Sequence, residues 1–403
     1  MSPGKAFPPF SYLRFMSEAV ESKESKPSMA GTAKTIYLPG LNGLRAIAAL
    51  AVVVSHTTLA LKDFGLDSNI LETGPKGVAS GLPLAGYGVT IFFTLSGFLI
   101  TYLLMAEKAI SHLRVRDFYV RRILRIWPLY YLYLAVAILT IFVYRMPYST
   151  SSILFYTFFA ANIPYIFHTT LPFLAHYWSL GVEEQFYLFF PQIARLPNQR
   201  LLKIVAMLIF LLLFIKFCCW LLFRLGGDEL PLIAISVTRF HTMFVGVIGA
   251  MLYYQRYPRF MAVTTHAVTQ SISWFILFLI AINRFHIASV IDNEIVSLVS
   301  LCLIMGQVAG KHKIINLENK PCDFIGKISY GIYVIHPLLI FYIGRMVGQF
   351  SSDKFTNYIY VYALVIATTI AVAWISYEFY EKGFLKLKAR FTTVRSANSR
   401  AGL

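Results

Sequence analysis

An arginine and a histidine, Arg45 and His56, interrupt the first long apolar segment of the sequence. Eleven residues correspond to about three helical turns plus roughly 20°, so both side chains project from one face of a helix. A rise of about 1.5 Å per residue separates them by about 16 Å, which places Arg45 at the inner interface and His56 past mid-membrane. A buried imidazole suits general-base chemistry at neutral pH, although a histidine bonded to a neighbouring hydroxyl is the structural alternative.

Arg122 and Arg125 lie in a strongly basic stretch, residues 114–125, that follows the second apolar segment. Two guanidinium groups three residues apart project from one helix face, and their planar donors suit phosphate groups. The alternative is that these cations only anchor a cytoplasmic loop. The spacing makes the pair a candidate for holding a phosphate-bearing substrate.

Two adjacent carboxylates, Glu183 and Glu184, enter another apolar segment shortly after Trp178. Charged groups are costly inside a membrane unless they are paired or bind a polar ligand. The carboxylates could bind sugar hydroxyls while Trp178 stacks on the apolar face of the sugar. Alternatively, they pair with Arg239 and His241 in a structural contact. We expect this group at the outer mouth of the protein.

Two further polar residues fall inside apolar segments, Ser96 and His336. A serine followed by glycine in mid-span is typical of a packing notch, and a nucleophilic serine is the alternative. His336 falls near mid-membrane and is a candidate for a direct role or for a structural hydrogen bond. The sequence calls for no metal ion, since it contains none of the usual Cys and His ligand spacings.

The composition determines the class of protein that must position these residues. The 403 residues are 57% hydrophobic and 14% charged, whereas soluble domains are about 45–50% apolar and about 25% charged. Apolar runs long enough to cross about 30 Å of hydrocarbon recur along most of the chain. The sequence therefore predicts an all-α, polytopic transmembrane bundle in a lipid bilayer. The net charge of +17 is attributed to cytoplasmic loops, and no nucleic acid partner is expected.

About ten membrane spans divide the chain. A further apolar stretch, residues 153–167, is broken by Asn162 and Pro164 and is predicted to be re-entrant or interfacial. The predicted spans are residues 44–61, 88–105, 126–144, 180–194, 204–223, 235–254, 271–283, 291–309, 330–347 and 358–380.

The distribution of positive charge predicts the orientation. If the N-terminus is cytoplasmic, 27 of the 36 Lys and Arg residues fall in inner segments, which places both termini inside. Residues 1–40 are predicted to be a mobile cytoplasmic tail without the apolar core of a secretory signal. Residues 41–385 form the integral unit, and residues 386–403 form a basic cytoplasmic tail.

The sequence resembles the acyltransferase-3 family of integral-membrane O-acyltransferases. The resemblance covers about residues 37–380, with Asn42 where the family usually has Asp. It is carried by five motifs in family order, at residues 41–46 with His56, 93–100, 118–128, 178–187 and 329–337.

The resemblance implies ten core helices, a location in the cell membrane, and transfer of an acyl group from acyl-CoA to a hydroxyl of a cell-envelope saccharide. The donor would bind on the cytoplasmic side as a substrate, acetyl-CoA by default, with no permanently bound cofactor. Arg45 and His56 would be the catalytic pair, and Arg122 and Arg125 would be needed for use of the donor. Longer members carry an extra domain after the last span, and we expect none here.

Residues and resemblance together predict direct attack by an acceptor hydroxyl deprotonated by His56, although a transient acyl-enzyme stays open. Two other functions also stay open. A transporter or flippase of a saccharide or lipid-linked intermediate would use similar polar groups in mid-membrane. A partner subunit that has lost catalysis is the other, and the intact pair of Arg45 and His56 argues against it.

Overall fold

The computed structural model describes residues 34–68, 82–110, 112–310, 313–347, 351–392 and 394–397. Within these residues the chain is mostly helical with only two short strands, as the all-α prediction requires. In chain order the elements are β1 (Lys34–Tyr37), α1 (Leu41–Ala60), α2 (Leu82–Ile110), α3 (Val115–Val143), α4 (Thr150–Thr157), α5 (Asn162–Ile166), α6 (Tyr177–Ile193), α7 (Asn198–Arg224), α8 (Leu230–Thr238), α9 (Phe240–Tyr254), α10 (Pro258–Thr264), α11 (Ala267–Ala281), α12 (Asp292–Val308), α13 (Lys320–Lys327), α14 (Ser329–Met346), α15 (Lys354–Ser376), a π-helical turn (Tyr377–Glu381), α16 (Lys382–Lys388) and β2 (Val394–Ala397).

Six helical segments of the described chain are long and apolar enough to cross a membrane. The number rises to eight if each of two bent helix pairs, α10 with α11 and α13 with α14, counts as one span. Each of the ten predicted spans overlaps a helix, but α6 and α12 have only 17 residues each. Ten spans and cytoplasmic termini therefore stay predictions.

The predicted interruption of residues 153–167 is present, but it falls earlier than expected. The helix breaks at residues 158–161, between α4 and α5, and Pro164 lies inside α5. A proline is tolerated in the first turn because the backbone N–H there has no helical acceptor. The side-chain amide of Gln185 donates to the Phe159 carbonyl (3.2 Å) and to Asn162 Oδ1 (2.8 Å), so α6 fills the break.

Helix α2 lies at the centre of the bundle and packs against α1, α9 and α12. Its contact with α9 is the closest, because two glycines allow the backbones to meet. A Cβ atom at Gly97 would collide with the Met243 carbonyl, and one at Gly246 would collide with the Thr94 carbonyl. The Ser96–Gly97 pair thus forms the packing notch that its sequence indicates.

Replacing Gly97 by alanine should destabilise the bundle, because the atom in the way is backbone and cannot rotate aside. We expect a loss of about 1–3 kcal/mol, typical of overpacking. Thermal unfolding of the purified protein in nanodiscs measures this loss. Gly86→Ala on the same helix is the matched control, since a Cβ there meets nothing within 4 Å. Equal unfolding temperatures for the two variants would contradict the packing account.

A two-stranded parallel sheet joins the two terminal segments of the described chain. Strand β1 pairs with β2, with Lys34 opposite Val394. Beside it, Arg121 of α3 donates to the Phe391 carbonyl (2.8 Å), and Tyr380 donates to the Pro128 carbonyl (3.2 Å). Residues 34–37 and 394–397 of the two predicted tails are therefore paired in this sheet, and the tail boundaries at residues 40 and 386 stay predictions. Residues 1–33 and 398–403 of these tails lie outside the described residues.

Candidate active site

Three of the four arginines named from the sequence line one cavity. Arg45 on α1 meets Arg122 and Arg125 on α3, and the cavity holds about 740 Å³ of empty space including its mouth. We call it the arginine cavity. Its other lining residues are Val89, Phe92, Phe93, Ser96, Leu99, Ile100, Ile126, Ser179, Leu180, Glu183, Tyr187, Ser329, Tyr330 and Tyr333.

Two further cavities adjoin the arginine cavity and share its cations. One is lined by Arg122 and Arg125 together with Lys388 of α16. The other is lined by Arg45, Arg125 and again Lys388. Lys388 was not predicted as a site residue, because its position in a basic terminal segment gives no sign that the segment folds back onto α3.

These cations have few counter-ions. Among the described residues, neither the three arginines nor Lys388 has a carboxylate oxygen within 4 Å, whereas neighbouring Arg121 is paired with Glu107 at 2.8 Å. The Arg122 guanidinium lies 5.1 Å from the Tyr187 ring centre, and its buried Nε has no hydrogen-bond acceptor within the part of the chain that the structure describes. Glu183 and Glu381 line these cavities, but two carboxylates do not balance the three arginines and Lys388, so the cations still repel one another unless an anion binds among them. The cavity is therefore suited to a polyanion.

Arg45 is held in a way that the sequence left open. Its Nη1 lies 3.4 Å from the Asn42 side-chain oxygen, and the Asn42 amide lies 3.3 Å from Asp323 of α13. Where the resembled family usually has Asp, this chain thus has the Asn42 amide, which lies beside the Asp323 carboxylate of another helix.

The two glutamates of α6 have different partners from those predicted. Glu183 lines the arginine cavity and accepts hydrogen bonds from the hydroxyls of Ser96 and Tyr187. Glu184 accepts from the Trp127 indole at 3.3 Å. The alternative pairing of these carboxylates with Arg239 and His241 is therefore not found among the described residues, where Glu183 bonds to hydroxyls of α2 and α6 and Glu184 to an indole of α3. Glu183 also shares a cavity with Arg122 and Arg125, whereas the sequence suggested separate places for the carboxylates and these arginines. Its position at the outer mouth stays a prediction.

Arg239 lies at the break between α8 and α9. Its guanidinium stacks on Trp178 (5.1 Å to the ring centre) and lies within hydrogen-bond distance of Thr90 (3.1 Å) and Asn293 (3.0 Å). The two predicted acceptor-binding residues Trp178 and Arg239 therefore contact each other.

His241 belongs to a separate buried group. Its Nε2 lies 2.9 Å from Glu294 of α12, which is also paired with Lys216 of α7 at 2.6 Å. The pairing explains how Lys216, an isolated cation on an otherwise apolar helix, is accommodated.

Three histidines meet where α1, α6 and α14 approach one another. His56 Nδ1 lies 2.7 Å from His336 Nε2, and their rings stack with centres 5.0 Å apart. His176, at the start of α6, lies 5.3 Å from His336 and 6.5 Å from His56. His176 was not predicted as a site residue, since only long-range packing brings it to the other two histidines. We call these residues the histidine cluster.

Tyr333 lies between the histidine cluster and the arginine cavity. It lines the cavity, and its ring lies 5.3 Å from His176 and 6.1 Å from His336. Its hydroxyl is 2.5 Å from Ser179 Oγ and donates to the His176 carbonyl at 2.9 Å. His56 is not among the residues that line the cavity. The predicted catalytic pair is therefore divided, with Arg45 on one side of Tyr333 and His56 on the other.

Comparison with known proteins identifies the family. The Acyl_transf_3 family, described as an acyltransferase domain, matches residues 38–378. The chain therefore belongs to the acyltransferase-3 family, as its motifs indicate. No solved structure matches this chain significantly.

Two relatives from Staphylococcus aureus illustrate the similarity. A protein of strain COL named "Putative O-acetyltransferase" is 28% identical over 345 residues, covering 74% of this chain and 52% of the relative. The O-acetyltransferase OatA of strain NCTC 8325 is 28% identical over 330 residues, covering 74% of this chain and 53% of the relative. The chain thus spans about half the length of these curated relatives.

Proposed function

We propose that this protein is a membrane O-acyltransferase. It transfers an acyl group, acetyl by default, from cytoplasmic acyl-CoA to a hydroxyl of a cell-surface or lipid-linked saccharide in the cell membrane. The observation that carries the proposal is the arginine cavity, lined by three arginines that have no carboxylate oxygen within 4 Å among the described residues, in a helical bundle of the acyltransferase-3 family.

The donor end of the proposal follows from charge and shape. Acyl-CoA carries its phosphates at one end and its thioester at the other end of a long, narrow arm. Arg122, Arg125 and Lys388 would hold the phosphates, because guanidinium groups bind phosphate oxygens in pairs and the ammonium adds a point charge. The arm would follow the arginine cavity past Arg45 towards Tyr333, the residue next to the histidine cluster.

In the chemical step, His56 would remove the proton from the acceptor hydroxyl. The hydroxyl oxygen attacks the thioester carbon, the carbon–sulfur bond breaks, and CoA leaves as the thiol or thiolate. Arg45 lies about 16 Å from His56 along the same helix, too far to reach the thioester oxygen at the point of attack, so it would bind an anionic part of the donor instead. Trp178, Arg239 and Glu184 are proposed to contribute to acceptor binding.

Ser96 offers a second route to the same product. Its hydroxyl lines the arginine cavity and donates to Glu183. The sequence did not indicate that a carboxylate lies next to this serine. A covalent acyl-serine would then precede transfer to the acceptor. Direct attack remains our proposal, because it requires only one base and stabilisation of one oxyanion.

Replacing Lys388 by alanine should weaken donor binding. A hydrogen bond to a charged group contributes about 1.5–3 kcal/mol, so KM for acetyl-CoA should rise about tenfold or more while kcat changes little. Steady-state kinetics with acetyl-CoA measure the effect. Lys386→Ala is the matched control. Lys386 is an exposed cation on the same helix, and it lines neither of the two cavities that contain Lys388. Equal KM values in the two variants would remove Lys388 from the donor site.

Consumption of acetyl-CoA separates the transferase from the transporter or flippase. The purified protein in nanodiscs is supplied with acetyl-CoA and a crude envelope glycan, and free CoA is scored by its thiol. A transferase releases thiol in proportion to glycan, whereas a transporter moves its cargo without consuming the thioester. Thiol release that is the same with and without glycan would contradict transfer to a saccharide.

A further inference from the structure

The histidine cluster fixes the positions of protons as well as rings. His336 Nδ1 lies 3.1 Å from the Ile332 carbonyl, one turn back along α14. A carbonyl can only accept, so this nitrogen carries the N–H of His336. A neutral imidazole has one N–H and one lone pair, which leaves the lone pair of His336 on Nε2.

His56 must then be the donor in the bond between the two rings. Its Nδ1 lies 2.7 Å from His336 Nε2, so the proton of His56 is on Nδ1. The remaining lone pair of His56 is on Nε2. Among the described residues, no carboxylate lies within 4 Å of either ring, so no counter-ion favours an imidazolium.

His176, the third member of the cluster, does not take part in the hydrogen bond between His56 and His336. His176 Nε2 lies 3.2 Å from the Val334 carbonyl, so its own N–H is used there. His336 and His176 are fully buried, whereas His56 is half-buried and is the most accessible ring of the three.

We propose that His336 is a positioning residue that holds His56 in the tautomer whose Nε2 accepts the proton of the acceptor hydroxyl. The proposal rests on the role of His56 as base in the proposed function. Neutral histidine in water prefers the opposite tautomer, with its proton on Nε2. Without His336, the nitrogen that accepts the proton would be occupied most of the time.

Two variants separate positioning from packing. In His336→Leu the hydrogen-bond acceptor is lost. The value of kcat should then fall about 10- to 100-fold, which is part of the rate enhancement that a general base usually contributes, and KM should change little. In His336→Gln the amide oxygen can accept from His56 Nδ1, so most of the activity should return. Nitrogen NMR of histidine-labelled protein in nanodiscs, with the His56 signal assigned from its loss in His56→Asn, reports the tautomer. We expect protonated Nδ1 in the wild type and in His336→Gln, and a shift to protonated Nε2 in His336→Leu.

The wild-type spectrum alone can overturn the proposal, whatever the variants do. A His56 signal with its proton on Nε2 would contradict the assigned hydrogen bonds. Equal losses of kcat in the Leu and Gln variants, with the wild-type tautomer kept in both, would reduce His336 to a packing residue. If the wild type transfers no acyl group, the proposed function fails, and the spectrum still decides the tautomer.

Discussion

Replacing His56 by alanine is expected to lower kcat for acetyl transfer by about 10²- to 10⁴-fold, the range that a general base contributes. The rest of the histidine cluster lies on α6 and α14, so the variant should stay folded in the membrane. KM for acetyl-CoA should change little, because His56 does not line the arginine cavity. Thiol release measures kcat and KM, and retention of monodisperse protein after purification shows that the variant is folded.

His112→Ala is the control for this result, since His112 is an exposed histidine in the loop between α2 and α3. It should retain wild-type turnover. Substantial acylation by purified His56→Ala protein would remove His56 as the base and would favour the Ser96 and Glu183 route.

Loss of both arginines of the α3 pair should produce the largest change in donor binding. Each charge-assisted contact contributes about 1.5–3 kcal/mol, so Arg122→Ala with Arg125→Ala should raise KM for acetyl-CoA by roughly 10²-fold or more. Because the interaction is between charges, KM of the wild type should also rise with salt concentration, and the double variant should lose much of this dependence.

Two controls make the arginine result specific. Arg116→Ala removes an exposed cation near the start of the same helix and should leave KM unchanged. The double lysine variant keeps both charges but loses paired donation to phosphate, so its KM should lie between those of the wild type and the double alanine variant. A double alanine variant with wild-type KM would show that the cavity does not bind the donor phosphates.

Helical periodicity predicted the parts of the site that lie on single elements. The spacing of Arg122 and Arg125 placed both on one face of α3, and the structure brings both to one cavity. The same reasoning placed Arg45 and His56 on one face of α1. Periodicity could not show that Tyr333, from a helix far along the chain, lies between the arginine cavity, which Arg45 lines, and the histidine cluster, which contains His56.

The features that the sequence did not predict depend on contacts between distant segments. Lys388 reaches the arginines only because the segment after α15 folds back along α3. His176 joins His336 only because α6 and α14 meet. The partners of Glu183 and Glu184 were not predicted for the same reason, since charge and depth in the membrane do not specify which helices are neighbours.

The most direct test of the central claim follows the acyl group itself. Purified protein in nanodiscs receives acetyl-CoA labelled in its acetyl group together with envelope glycan, and alkali-labile label in the glycan is measured as the ester product. We predict label in the glycan with the wild type, a loss of nearly all of it with His56→Ala, and a loss with the double arginine variant that is overcome by a high concentration of acetyl-CoA. Label that reaches the glycan equally with all three proteins would contradict the account.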